Sequence, residues 1–278
     1  MPDLPSLSLS RRALKYFFND GFLPVIIYGE LRSGKSAYAI KVLIEILSYL
    51  RGFKITYDKL KQWFGFHPRD VVETWMNNTE KQPCYVWDDA GFWLFSMDWH
   101  DPMLIAIQKY LNVIGTDYGC LILTTPDPSW VLSKFSTLHG MIRVKIVHAN
   151  GSDEDLESNP SDSMKFRRIA TGYKPYKSPD FKKTGVNKVF RDEFSCKIPD
   201  DIYKDYKPNR DYFAHLAKEM MMNALSKKRK LSELEDFRLD RRLAGEITKA
   251  EKAKRKKKTG INETLNDMPE IDDVVIRV

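Results

Sequence analysis

The sequence predicts an α/β protein built on an open, mostly parallel sheet of five core strands, with helices on both faces. Three observations carry that prediction. Short apolar runs alternate with amphipathic stretches five times between residues 21 and 150, the pattern of a parallel sheet whose crossovers are helices. Glycine or proline stands at most of the joints, at Gly21, Gly52, Pro68, Pro83, Pro102, Gly119 and Pro126, where each breaks an element instead of weakening one. The chain has 278 residues and is 42% hydrophobic, enough for one sizeable core with or without a smaller appendage.

Residues 1–20 read as an extension in which Ser10 caps a short helix, Arg11–Phe18. Val25–Tyr28 is a buried strand. Lys35–Leu50 is a helix with Ala39, Val42, Leu43, Ile46 and Leu50 on its apolar side, stopped by Gly52. Phe53–Tyr57 is the candidate second strand. Pro68 suits the first turn of a helix ending at Met76. Cys84–Trp87 is the third strand, and Met103–Ile114 is a helix with Leu104, Ile107, Leu111 and Ile114 inward. Cys120–Thr124 is the fourth strand; a helix around Ser129–Ser136 leads to the fifth, Met141–Val147.

Beyond residue 150 the pattern changes. Gly151–Ser163 is Ser/Asp-rich and reads as a loop. Met164–Ala170 reads as a strand returning antiparallel to Met141–Val147, which closes a first domain at 21–170. Residues 171–210 are rich in Tyr, Lys and Pro and are expected to cross the surface irregularly, as a connection running to about residue 215. Asp211–Leu225 reads as helical, and Lys227–Lys258 as a charged helix or helix pair. Residues 216–258 hold fifteen basic and seven acidic side chains, and residues 259–278 five carboxylates against Arg277. The +7 formal charge therefore belongs to a near-neutral body, a basic helical arm and an acidic tail expected to lack fixed structure.

Cys84, Cys120 and Cys196 are odd in number and widely spaced. They form no zinc pattern and fit a reducing, cytoplasmic setting. No basic start followed by an apolar run marks a signal peptide, and no apolar stretch reaches bilayer length, so no integral membrane segment is expected.

The string GELRSGKS, Gly29–Ser36, matches G-x-x-x-x-G-K-[ST] with an apolar strand before it and an amphipathic helix starting inside it, the context a P-loop requires. Gly29 and Gly34 let the loop curl so that backbone N–H groups face inward. The expected nucleotide contacts are Gly29, Glu30, Leu31, Arg32, Ser33, Gly34, Lys35, Ser36 and Ala37. Lys35 reaches the outer phosphates, Ser36 ligates magnesium, and the helix start presents its positive end to the phosphates. The expected ligands are ATP and Mg2+.

In CYVWDDA, Cys84–Ala90, an apolar strand ends in two acids. Asp88 suits the metal shell beside Ser36; Asp89 suits the group that orients or deprotonates water, although it is shorter than the usual Glu. In LILTTPDP, Leu121–Pro128, the strand ends in Thr124 and Thr125. Thr125 either senses the terminal phosphate or caps the following turn. Arg143 reads as a surface or hairpin residue before it reads as an arginine finger, and Arg32 as a surface residue before one that touches nucleotide or partner. Lys252–Lys258, KAKRKKK, fits non-specific contact with a phosphate backbone, whereas Lys227–Asp240 reads as a solvated charged face. The apolar segment Gly91–Trp99 fits a subunit interface or the lining of a DNA path.

Together these residues resemble the additional-strand class of P-loop ATPases over residues 20–150. That resemblance implies a three-layer domain with strand order 5-1-4-3-2, Cys120–Thr124 being the added strand. The terminal hairpin and the run TTPDP look most like HerA/FtsK-type and Zot-like ATPases of archaeal viruses and plasmids. The implied activity is a DNA translocation, packaging or remodelling motor working as a homo-oligomer such as a ring. The alternatives are an AAA+-like replication initiator or helicase loader, a small-molecule kinase, and a scaffold with a vestigial site. No helical lid with a sensor arginine is recognisable after residue 150, which counts against the initiator.

Overall fold

The computed structural model describes residues 4–52, 55–98, 100–149, 165–177, 184–223 and 225–226. The chain divides into two compact units, Met1–Ala214 and His215–Val278.

In the first unit, seven strands form one sheet. They are β1 (Leu23–Tyr28), β2 (Phe64–Gly65), β3 (Tyr85–Trp87), β4 (Cys120–Thr125), β5 (Ile142–His148), β6 (Arg167–Lys177) and β7 (Thr184–Ser195). Their order across the sheet is β2-β3-β4-β1-β5-β6-β7. The first five run parallel, and β6 and β7 add to β5 as an antiparallel ribbon. β1 is central, between β4 and β5, and its side chains alternate between two cores. Val25 and Ile27 pack with one helical layer and Ile26 with the other, as the two-residue period of a strand buried on both faces demands.

The layer on the Val25 side contains α1 (Ser8–Phe18) and α2 (Lys35–Arg51). α2 ends at Gly52, whose φ of 67° makes the left-handed stop. After the short α3 (Tyr57–Leu60), the opposite layer is built from α4 (Pro68–Met76) and α6 (Pro102–Tyr110), with the short α5 (Ala90–Trp93) between them in sequence. Proline opens both α4 and α6, and Asp101 caps α6 by accepting from Met103 N at 2.7 Å. A four-residue α7 (Ser133–Ser136) precedes β5. Residues 200–214 form a further helix, α8.

Three expectations are corrected. Of the expected second strand Phe53–Tyr57, Phe53 and Lys54 lie outside the described residues, and Ile55–Tyr57 is not a strand. Ile55, Tyr57 and Leu60 bury their side chains as the chain enters α3, and the edge strand is the two-residue Phe64–Gly65; a short apolar run does not by itself distinguish strand from helical turn. The helix around Ser129–Ser136 is a 3-10 turn, Pro128–Trp130, followed by α7. Among the described residues of 171–210 most are regular, because β6 continues to Lys177, β7 pairs with it along its length, and α8 follows. Pro175 is tolerated in β6 because β5 stops pairing at Tyr173, leaving that edge open there.

α1 starts at Ser8 instead of Arg11 and takes its cap from far along the chain. The Asp192 carboxylate accepts from Ser8 N at 3.0 Å, Leu9 N at 3.4 Å and the Tyr38 hydroxyl at 2.6 Å. Glu45 accepts from Leu7 N at 3.0 Å. Asp192→Ala is expected to lower stability by about 2–4 kcal/mol, because it orphans a helix start and a buried phenol together. Asp192→Asn, which keeps an acceptor, is expected to lose less than half of that in urea melts.

In the second unit, residues 215–223 are helical, with His215 and Glu219 paired at 3.4 Å one turn apart. Gly151–Ser163, Trp99 and Lys227–Lys258, with the basic run Lys252–Lys258 and the acidic tail, lie outside the described residues. Among the described residues, no helix is long and apolar enough to cross a membrane.

Candidate nucleotide-binding site

The sheet's parallel register brings the site together. Tyr28 stands beside Thr125, and Trp87 beside Leu123. The loop after β1, the acids after β3 and the threonines of β4 therefore meet at one carboxyl edge, where ligands bind in open parallel sheets.

Residues 29–34 form a curled loop that runs into α2. Gly29 and Gly34 have φ of 148° and 95°. A Cβ on Gly29 would collide with the Ile146 carbonyl oxygen, and one on Gly34 would lie 2.8 Å from Cys196 Cβ. Both glycines are thus required by backbone conformation and by close neighbours. Arg32 also has positive φ, 65°. Glu30, Leu31 and Arg32 are exposed, whereas Ser33 and Lys35 are buried and Ser36 lies between. The Lys35 ammonium donates to the carbonyls of Gly29 at 3.0 Å and Glu30 at 2.7 Å. Burial pushes its pKa down, and Asp89 and Asp88 pull it back up. The Ser33 hydroxyl is buried without a hydrogen-bond partner among the described residues. The first turn of α2, Lys35 to Ala37 onward, points its free N–H groups into this loop.

Asp88 is fully buried. Its Oδ1 accepts from the Thr124 hydroxyl at 2.6 Å and its Oδ2 from the Tyr206 hydroxyl at 3.0 Å. Thr124 Oγ1 in turn accepts from Asp89 N at 2.8 Å. One threonine thereby fixes both acids. Asp89 has φ of 49° and stands immediately before the first turn of α5. Burial and the neighbouring Asp88 push its pKa up to about 6, against the pull of Arg210 and Lys35.

Thr125 is buried, and its hydroxyl donates to the Asp127 carbonyl at 2.9 Å, the bond a turn cap makes. Its other side lies against Gly91, where a Cβ would strike its hydroxyl. Arg143 lies on β5, opposite Tyr173 of β6.

Three residues of the site are not marked as such by the sequence. Thr124 is visible there as a strand-end threonine, with nothing to choose it over Thr125. Tyr206 and Arg210 are one turn apart on α8, so they share a face. Tyr206 is 2% exposed. Its ring packs against Phe66 and Phe64 at centroid distances of 5.6 and 6.1 Å, and Phe213 stacks on Phe66 at 5.2 Å. Pro208 between the two residues argues against a helix in sequence, and so conceals their shared face.

Among the described residues there is no cluster of three or more His, Cys, Asp or Glu side chains that holds a metal unaided. Ser36 and Asp88 fit an ion of the magnesium type, which takes one or two protein oxygens and completes its shell with water and phosphate.

No family model matches the chain. The chain is similar to the uncharacterized protein B-251 of Sulfolobus spindle-shape virus 1, at 24% identity over 215 residues that cover 74% of this chain and 81% of that protein. Among solved structures, the genome packaging NTPase B204 of Sulfolobus turreted icosahedral virus 2, in complex with ATP-γ-S, overlaps it loosely, with a TM-score of 0.29 and 10% identity over 62% of this chain and 98% of that one.

Proposed function

We propose that this chain binds ATP with Mg2+ and hydrolyses it, and that it acts on DNA as a translocation, packaging or remodelling motor. The observation that supports this best is the convergence of Lys35, Ser36, Asp88 and Asp89 on one sheet edge, with a glycine-bounded loop and a helix start facing them. Lys35 sits where its ammonium exchanges loop carbonyls for phosphate oxygens. The magnesium ion would supply charge neutralisation at the outer phosphates, held by Ser36 and Asp88. Asp89 holds a water or takes its proton; a carboxylate with a pKa near 6 is a stronger base than an ordinary one. The DNA contact rests on Lys252–Lys258, and a homo-oligomer on the resemblance described above. Similarity to a protein of a spindle-shaped virus agrees with a viral setting.

Steady-state ATP hydrolysis with and without single- and double-stranded DNA tests this reading. Hydrolysis stimulated by DNA and reduced about 10²–10³-fold in Lys35→Ala is the expected result. Hydrolysis that ignores DNA would exclude the motor.

One observation favours a second reading, an ATP-dependent assembly switch of the replication-initiator kind. α8 follows the sheet in sequence and brings Arg210 close enough to act on the charges of Asp88, Asp89 and Lys35. Slow, DNA-indifferent hydrolysis with ATP-dependent assembly would select it.

A further inference from the structure

The polar contact that α8 makes with the site passes through one hydroxyl. Tyr206 donates to Asp88 Oδ2 at 3.0 Å. The phenol has one proton, and it is committed to Asp88. The remaining acceptor of Asp88 is held by Thr124 at 2.6 Å, so both oxygens of the carboxylate have a fixed donor.

We propose that Tyr206 is a positioning residue for the divalent ion: its hydroxyl fixes the Asp88 carboxylate, and so makes α8 part of the metal shell's support. This rests on the ATP–Mg2+ reading of the site. The ring's position does not depend on the hydroxyl. Phe64 and Phe66 pack against it, and Asn209 on the same helix donates to the Tyr57 hydroxyl at 3.1 Å. Removing the oxygen alone thus leaves α8 seated and takes from Asp88 one of its two donors. A ligand whose orienting partner is lost typically binds its metal 10- to 100-fold more weakly.

The test uses the full chain, Tyr206→Phe and a non-hydrolysable ATP analogue. Mn2+ replaces Mg2+ so that free ion can be read by electron paramagnetic resonance. Nucleotide affinity is measured separately in EDTA by fluorescence, and thermal melts report the fold. The expected result is Mn2+ affinity about 10- to 100-fold weaker in the variant, with nucleotide affinity in EDTA and the melting curve close to wild type. Mn2+ affinity within twofold of wild type overturns the proposal. Tighter Mn2+ binding also overturns it, and makes Tyr206 a competitor of the ion. A wild-type chain that binds no nucleotide in either condition removes the ATP reading itself, a result distinct from any difference between the two proteins. If the variant melts early, Tyr57→Phe, which loosens α8 without touching the Tyr206–Asp88 bond, serves as the reference; equal Mn2+ loss in both overturns the positioning role.

Discussion

Asp89→Asn is expected to reduce ATP hydrolysis by about 10²–10⁴-fold, the range for losing a positioned general base, without loss of stability at neutral pH. The two halves of that result have one cause. Burial and the adjacent Asp88 hold the Asp89 pKa up at about 6, so the folded chain disfavours the ionised form relative to the unfolded chain. A carboxyl group shifted upward contributes stability that is fully present below the ordinary value of 3.8 and is lost as pH rises through about 6. At pH 7.5 the wild type has lost that contribution, and asparagine does not carry the penalty. The melting temperature of the variant should equal or exceed that of wild type at pH 7.5. In the wild type, kcat/KM should rise with pH through about 6 as Asp89 loses its proton; the residual activity of the variant should lack that rise. A variant that keeps wild-type turnover would remove Asp89 from the chemistry.

The largest stability effect is expected at Thr124→Val. The two side chains have nearly the same shape, so packing in the fully buried β4 position is retained. What disappears is a hydroxyl that serves both acids, donating to Asp88 at 2.6 Å and accepting from Asp89 N at 2.8 Å. The substitution leaves a buried carboxylate short of a donor and a backbone N–H short of an acceptor. Each carries a cost of roughly 1–3 kcal/mol, so a loss of about 2–5 kcal/mol is expected. For a domain of this size that corresponds to a fall in Tm of roughly 5–15 °C. Thr124→Ser keeps the hydroxyl and should retain most of the stability. Equal losses in serine and valine variants would mean that the methyl group, not the hydrogen bonds, matters at this position.

The parts of the molecule legible in the sequence are those whose information is local. Gly29–Ser36 carries its own signature, since a loop that must curl needs glycine where φ is positive. Asp88 and Asp89 are legible because two adjacent acids closing an apolar strand stand at the sheet's carboxyl edge, where charge is costly unless a ligand or a buried donor meets it. Pro68 and Pro102 mark helix starts because proline removes an N–H that the first turn does not use. The parts that stayed hidden depend on tertiary partners. Asp192 looks like one charge in a polar strand, and only the fold brings it to α1. Phe64–Gly65 is too short to show a period. Tyr206 lies among tyrosines, lysines and a proline whose pattern suggests a surface connection, and its aromatic seat comes from a strand more than a hundred residues earlier. Thr125 and Thr124 have identical chemistry, and their different duties follow from which neighbour, the Asp127 turn or Asp88, lies within reach.

The carboxylate of Asp192 has a consequence for biosynthesis. It secures Ser8 and Tyr38 across 184 and 154 residues of chain, and the central β1 lies between strands that begin at Cys120 and Ile142. During translation α1 emerges well before its anchor, which is made 184 residues later. Domain formation has to wait for these distant partners, because the loops that join them must close before their contacts contribute. At about 5–20 residues per second, the early segments spend roughly ten to forty seconds without their final neighbours. Their apolar faces stay exposed for that interval, which makes the nascent first half the stage most open to association with other chains.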